Sequence, residues 1–154
     1  MKFSGRNCTA ILAFALLFTG RFVTVARAGD ADKDGQKKLD GVWVVESILR
    51  DPREKNPGEG KGVRCIVSGT KVVAKLPGDD NPAGTLIIKI DPTAKPKAID
   101  LRPQGEKETI PAIYELDGDT LKVCWGAVGK ERPKELASKP GSGQSVIELK
   151  REKR

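Results

Sequence analysis

Apolar and polar residues alternate along much of the chain with a period of two, the pattern of strands that bury one face. The clearest case is residues 113–125, I-Y-E-L-D-G-D-T-L-K-V-C-W, two alternating runs around Asp117-Gly118. An Asp-Gly pair between such runs is a strong short-range hairpin signal. Pairing Leu116 with Leu121 sets Tyr114 opposite Val123 and places Tyr114, Leu116, Leu121, Val123 and Trp125 on one face. Glu115 and Lys122 then meet on the other face as a favourable cross-strand pair.

The same reading predicts strands over residues 39–49, 63–68, 71–76, 85–90, 97–101 and 144–150, with a short extended piece at 136–138. Clusters of Gly, Pro, Asn and Asp separate them, as at Gly69-Thr70, Asn81-Pro82 and Pro140 to Gly143. About eight short strands at this spacing predict an all-β fold, an antiparallel up-and-down β-barrel. Short gaps favour pairing between sequence neighbours, and closure removes exposed edges. No stretch has sustained helical periodicity, although residues 51–62 have room for a single turn or short helix. Gly58-x-Gly60-x-Gly62 in that loop is not a phosphate cradle, because the next element is a strand rather than a helix N-terminus.

Three segments follow. Residues 1–28 read as a secretory signal peptide, with Lys2 and Arg6, an apolar run over 9–19, and the small-x-small pattern Ala26-Arg27-Ala28. The run is too short for a membrane helix, so the expectation is an exported chain, periplasmic or extracellular, with no membrane span after cleavage. Residues 29–38 read as a flexible lead-in. Its Asp30-x-Asp32-x-Asp34-Gly35 matches the first half of a calcium loop, but the twelfth position, which needs a bidentate glutamate, is Gly41. Residues 39–152 form the barrel domain.

Charge narrows the partners. The formal net charge of +7 includes Lys2, Arg6, Arg21 and Arg27; without them 24 basic residues face 21 acidic ones. The body is then near neutral, which removes most of the support for a nucleic-acid partner. The chain has no histidine, which excludes Ser-His-Asp and Cys-His mechanisms and most zinc catalysis. Asp117 and Asp119 belong to a hairpin tip, and the Lys139 to Gly143 loop reads as a turn. No catalytic set, metal site or cofactor is expected. Cys65 and Cys124 remain after cleavage, either joined as a disulfide, which an exporting compartment permits, or buried separately as thiols.

Leu39-Asp-Gly-Val-Trp43, the run from Ile90 through Asp91-Pro92 to Leu101, the 113–125 hairpin, Arg132-Pro133, Ser138 to Gly143 and the ending Leu149-Lys-Arg-Glu152 occur in order. Together they resemble the small exported domains of unknown function that are abundant in planctomycete bacteria and are described as lipocalin-like. The resemblance implies a β-barrel and export, and carries no established activity. Gly41-x-Trp43 also resembles the lipocalin opening motif, in which the tryptophan closes the barrel base beneath a basic residue of the last strand; Lys150 or Arg151 would fill that role.

An eight-stranded barrel is either filled by its side chains or holds one small ligand. Trp43, Tyr114 and Trp125 are the only large aromatics after residue 28, so Val, Ile and Leu must fill most of the interior. The expectation is a binding module for a small apolar or amphipathic molecule, with Trp43, Tyr114, Leu116, Val123 and Trp125 as interior candidates. The alternative is a structural or interaction module of the cell envelope that acts through its surface.

Overall fold

The computed structural model describes residues 28–50 and 60–153. One helix, α1 (Ala28–Leu39), precedes eight strands: β1 (Gly41–Leu49), β2 (Arg64–Ser68), β3 (Lys71–Lys75), β4 (Pro82–Asp91), β5 (Ala98–Pro103), β6 (Ile110–Asp117), β7 (Thr120–Trp125) and β8 (Ser145–Arg151). They form one closed barrel in sequence order, each strand antiparallel to the next, with β8 pairing back onto β1. The architecture is an all-β up-and-down barrel. Residues 1–27, most of the expected leader, lie outside the described residues, as do residues 51–59 of the loop over 51–62, whose described end, 60–62, is a turn.

The β6–β7 hairpin has the register its alternation dictates: Leu116 pairs with Leu121, Tyr114 with Val123 and Glu115 with Lys122. Lys122 also reaches Glu148 on β8 at 3.6 Å, so its charge ties β7 to β8. On the interior face Trp43, Val45, Ile88, Ile99, Tyr114, Leu121, Val123 and Leu149 are buried in one cluster. The register of β1 against β8 shifts between Val45 and Ser47. A bulge there adds local twist and bends the strand, which aids closure.

Charges such as Lys89, Asp100, Arg102, Lys122 and Glu148 occupy the outer wall between inward apolar residues. This inverts the arrangement that lipid demands of a membrane barrel. Among the described residues no helix is long and apolar enough to cross a membrane.

The lead-in departs from expectation. Instead of a flexible segment, α1 forms and packs on the barrel, with Leu39 1% exposed. Gly35 makes this possible: a Cβ there would lie 3.0 Å from Ile90 and 3.1 Å from Pro92. Gln36 donates to the Gly69 carbonyl, and Gly69 N–H donates to Asp40 Oδ1 at 2.8 Å. A polar helix this short depends on such tertiary anchors, which periodicity does not display. The Asp30 to Gly35 run is therefore helical backbone, not a loop that could wrap a cation.

The 136–138 piece is not a strand. It belongs to a strap over residues 126–144 that crosses the outer wall, where Leu136 packs on buried Ile113, Cys124 and Val146. Arg132 fastens the strap by donating to the carbonyls of Ile99 and Ala112 and pairing with Asp100 at 2.6 Å.

Candidate functional site

The interior encloses a cavity of about 150 Å³ whose lining includes Trp43, Val67, Ile88, Leu101, Val123 and Trp125. Alternation along each strand puts these side chains inside and the charged residues outside. Among the described residues no acid, base or hydroxyl lines the cavity, and the heteroatom groups there are the two indoles and the thiol of Cys65.

One end is sealed. Trp43 is fully buried, and its indole Nε1–H donates to the Leu39 carbonyl at 2.8 Å, joining the barrel floor to the end of α1. Arg151, the register partner of Trp43 on β8, lies with its guanidinium 4.2 Å from the indole centroid. It donates through Nη1 to Asp40 O at 2.7 Å and through Nη2 to Lys38 O at 2.6 Å. The arginine thus satisfies carbonyls that the helix end leaves without intrahelical partners while it stacks on the tryptophan. Gly41 is required beneath it: its φ is +134°, and a Cβ would stand 2.7 Å from Arg151 Nη1. Of the two basic residues expected over Trp43, Arg151 takes the place. Lys150, one residue earlier, is exposed on the outer face opposite Val44.

The other end is looser. Leu86, Leu101, Trp125 and Ile147, toward the far ends of their strands, are only half-buried. Leu49, Leu76 and Val128, at or beyond the strand ends on this side, are 59%, 50% and 52% exposed. The topology therefore gives the cavity a plugged base and an apolar rim.

Of the five expected interior residues, Trp43, Val123 and Trp125 line the cavity. Tyr114 and Leu116 pack with the core, but nearer the base; they border a separate groove with Gly35, Lys38 and Pro92, under α1. Sequence reasoning missed the contributions of β3, β4 and β5, including Val72, Ile88, Ile99 and Leu101. Their apolar runs are continuous, as in T-L-I-I-K-I, and do not reveal which residues point inward.

The disulfide alternative does not hold. Cys65 and Cys124 are both free thiols. Cys65 pairs with Trp43 and faces the cavity, whereas Cys124, between inward Val123 and Trp125, faces outward into the cluster under the strap. Side chains on opposite faces of the wall have diverging Cβ vectors. Cys124 Sγ instead lies 3.9 Å from the Ala137 carbonyl. Burial raises both thiols, Cys65 to about 11.

That shift has a signed consequence. The unfolded Cys65 thiol ionises near 9, while the folded one keeps its proton to about 11. Folding stability is therefore expected to fall as pH rises from 9 to 11, by about 2 kcal/mol from this group. Urea unfolding of the protein and of Cys65→Ala across that range checks it. The difference between the two curves should shrink by this amount, and a constant difference would refute the assignment.

Among the described residues no three His, Cys, Asp or Glu side chains converge to hold a metal ion. Fold and site together define a closed eight-stranded up-and-down barrel with an apolar interior and one sealed end. Compared with known proteins, the chain matches no family model, no curated protein and no solved structure.

Proposed function

We propose that the protein is an exported, lipocalin-like binding module that holds one small, uncharged apolar molecule inside its barrel. The observation that carries this reading is the cavity of about 150 Å³, lined by apolar side chains and closed at the base by Trp43 and Arg151. An apolar cavity of about 150 Å³ stays dry and accepts a benzene-sized guest. A charged or strongly polar ligand would lose its hydration with no partner inside, so an amphipathic ligand must leave its polar end at the rim. Among the described residues the lining offers no proton donor and acceptor pair for chemistry, which supports carriage or storage as the reading.

Trp43 and Trp125, the only tryptophans in the chain, both line the cavity and report its occupancy. Titration with toluene and naphthalene is expected to change tryptophan fluorescence saturably. Val123→Phe, which fills the cavity from β7, is expected to abolish the response while the protein still unfolds cooperatively. No response in the parent protein, or an unchanged response in Val123→Phe, rejects the interior site. The exposed Leu49, Leu76 and Val128 support the second reading, a module that docks through its apolar rim. In that case their joint replacement by Ser should abolish association while fluorescence stays silent to hydrocarbons.

A further inference from the structure

A larger concavity, about 510 Å³, lies outside the barrel, between the outer face of β4 and β5, the turn that joins them, and the strap. Its volume falls within the range of small-molecule sites, about 300–1,000 Å³. Ala98 and Pro133 are buried beneath it, with Ala94 and Pro96 beside them, so part of its surface is apolar. Lys89, Lys95, Arg132 and Lys134 surround this floor, against two carboxylates, Asp91 and Asp100.

Both carboxylates are already engaged. Asp91 Oδ1 accepts from Thr93 N–H at 3.0 Å, from Thr93 Oγ1 at 2.6 Å and from Ala94 N–H at 3.2 Å, closing the β4–β5 turn. Asp100 is paired with Arg132, whose remaining bonds fix the strap that forms the far wall. The ammonium groups of Lys89, Lys95 and Lys134 have no ion-pair partner among the described residues. A hollow with an apolar floor, a fixed wall and three uncommitted cations has the complementarity of an organic anion.

We infer that this outer groove is a second binding site, distinct from the interior, for an amphipathic organic anion: an apolar body bearing a carboxylate, sulfate or phosphate group. The apolar body rests on Ala98 and Pro133, and the lysines hold the anionic group as point charges. A free inorganic anion would gain nothing from the floor, and a neutral hydrocarbon nothing from the rim.

Two probes of nearly the same shape separate this site from the interior. Anilinonaphthalene sulfonate carries the anion, and N-phenyl-1-naphthylamine lacks it. The sulfonate is expected to bind saturably at low salt and more weakly as salt screens the lysines. The triple variant Lys89→Gln, Lys95→Gln, Lys134→Gln should weaken it about tenfold or more, while Val123→Phe leaves it unchanged. These lysines are exposed, so their replacement should leave the fold intact. The amine should ignore the triple variant. Sulfonate binding that survives the triple variant, that disappears in Val123→Phe, or that never occurs overturns the inference. The hydrocarbon titration of the interior reads out independently of each of these results.

Discussion

Trp43→Ala is expected to lower the free energy of unfolding by about 3–5 kcal/mol, read by urea denaturation. The residue is fully buried, touches the main core cluster, and forms the floor of the barrel. Truncation extends the existing cavity downward rather than letting it collapse, because the closed sheet holds the surrounding strands in register. It also removes the donor to Leu39 O and the surface on which Arg151 stacks. Trp43→Phe keeps most of the packing and should cost about 1–2 kcal/mol, chiefly the lost hydrogen bond and the smaller volume. A cost below about 1 kcal/mol for the alanine variant would mean that the base is not sealed in this way.

Arg151→Ala should cost about 2–3 kcal/mol, since charge-assisted hydrogen bonds and the stacking over indole are lost together. Arg151→Lys should recover less than half of that loss. An ammonium cannot donate as a planar fork to Lys38 O and Asp40 O while lying flat on Trp43. Amide hydrogen exchange gives a local readout, with α1 amides exchanging faster in Arg151→Ala while the β6–β7 amides exchange at the parent rate under conditions of local opening. Equal acceleration in both regions would make Arg151 a general stabiliser of the barrel rather than the clamp for the helix.

How far the sequence discloses this molecule depends on where alternation is strict. In residues 113–125 the inward apolar residues alternate with outward Glu115, Asp117, Thr120, Lys122 and Cys124, Ile113 being the large apolar exception, and the pairing of every residue follows from the turn. The same rule decides between Lys150 and Arg151 once β8 is registered on β1. Inward Leu149 implies outward Lys150 and returns Arg151 to the Trp43 side. By contrast, R-C-I-V-S on β2 has consecutive apolar residues, so the face of Cys65 cannot be read. That ambiguity kept the disulfide alternative open, although Val123 and Trp125 already fixed Cys124 outward. The helix was hidden for another reason. Its anchors, Gly35 against Ile90 and Gln36 against Gly69, are tertiary and involve residue types usually associated with loops. The outer groove was hidden because Arg132 joins the strap to β5 and β6, elements far from it in sequence.

The seam between β1 and β8 also imposes an order in time. The first strand of the barrel has its final neighbour only in the last, and Trp43 meets Arg151 across almost the full length of the domain. A chain still being synthesised can form the hairpins β2–β3, β4–β5 and β6–β7, each from near neighbours, but it cannot close. Until residues 145–151 emerge, β1 and β7 both present bare hydrogen-bonding edges, and α1 lacks the arginine that fastens its end. Pairing over such sequence separations makes closure the slow event of folding. The same residues that plug the finished barrel therefore act earlier as its clasp, and the interior is shut off only when the final strand is complete.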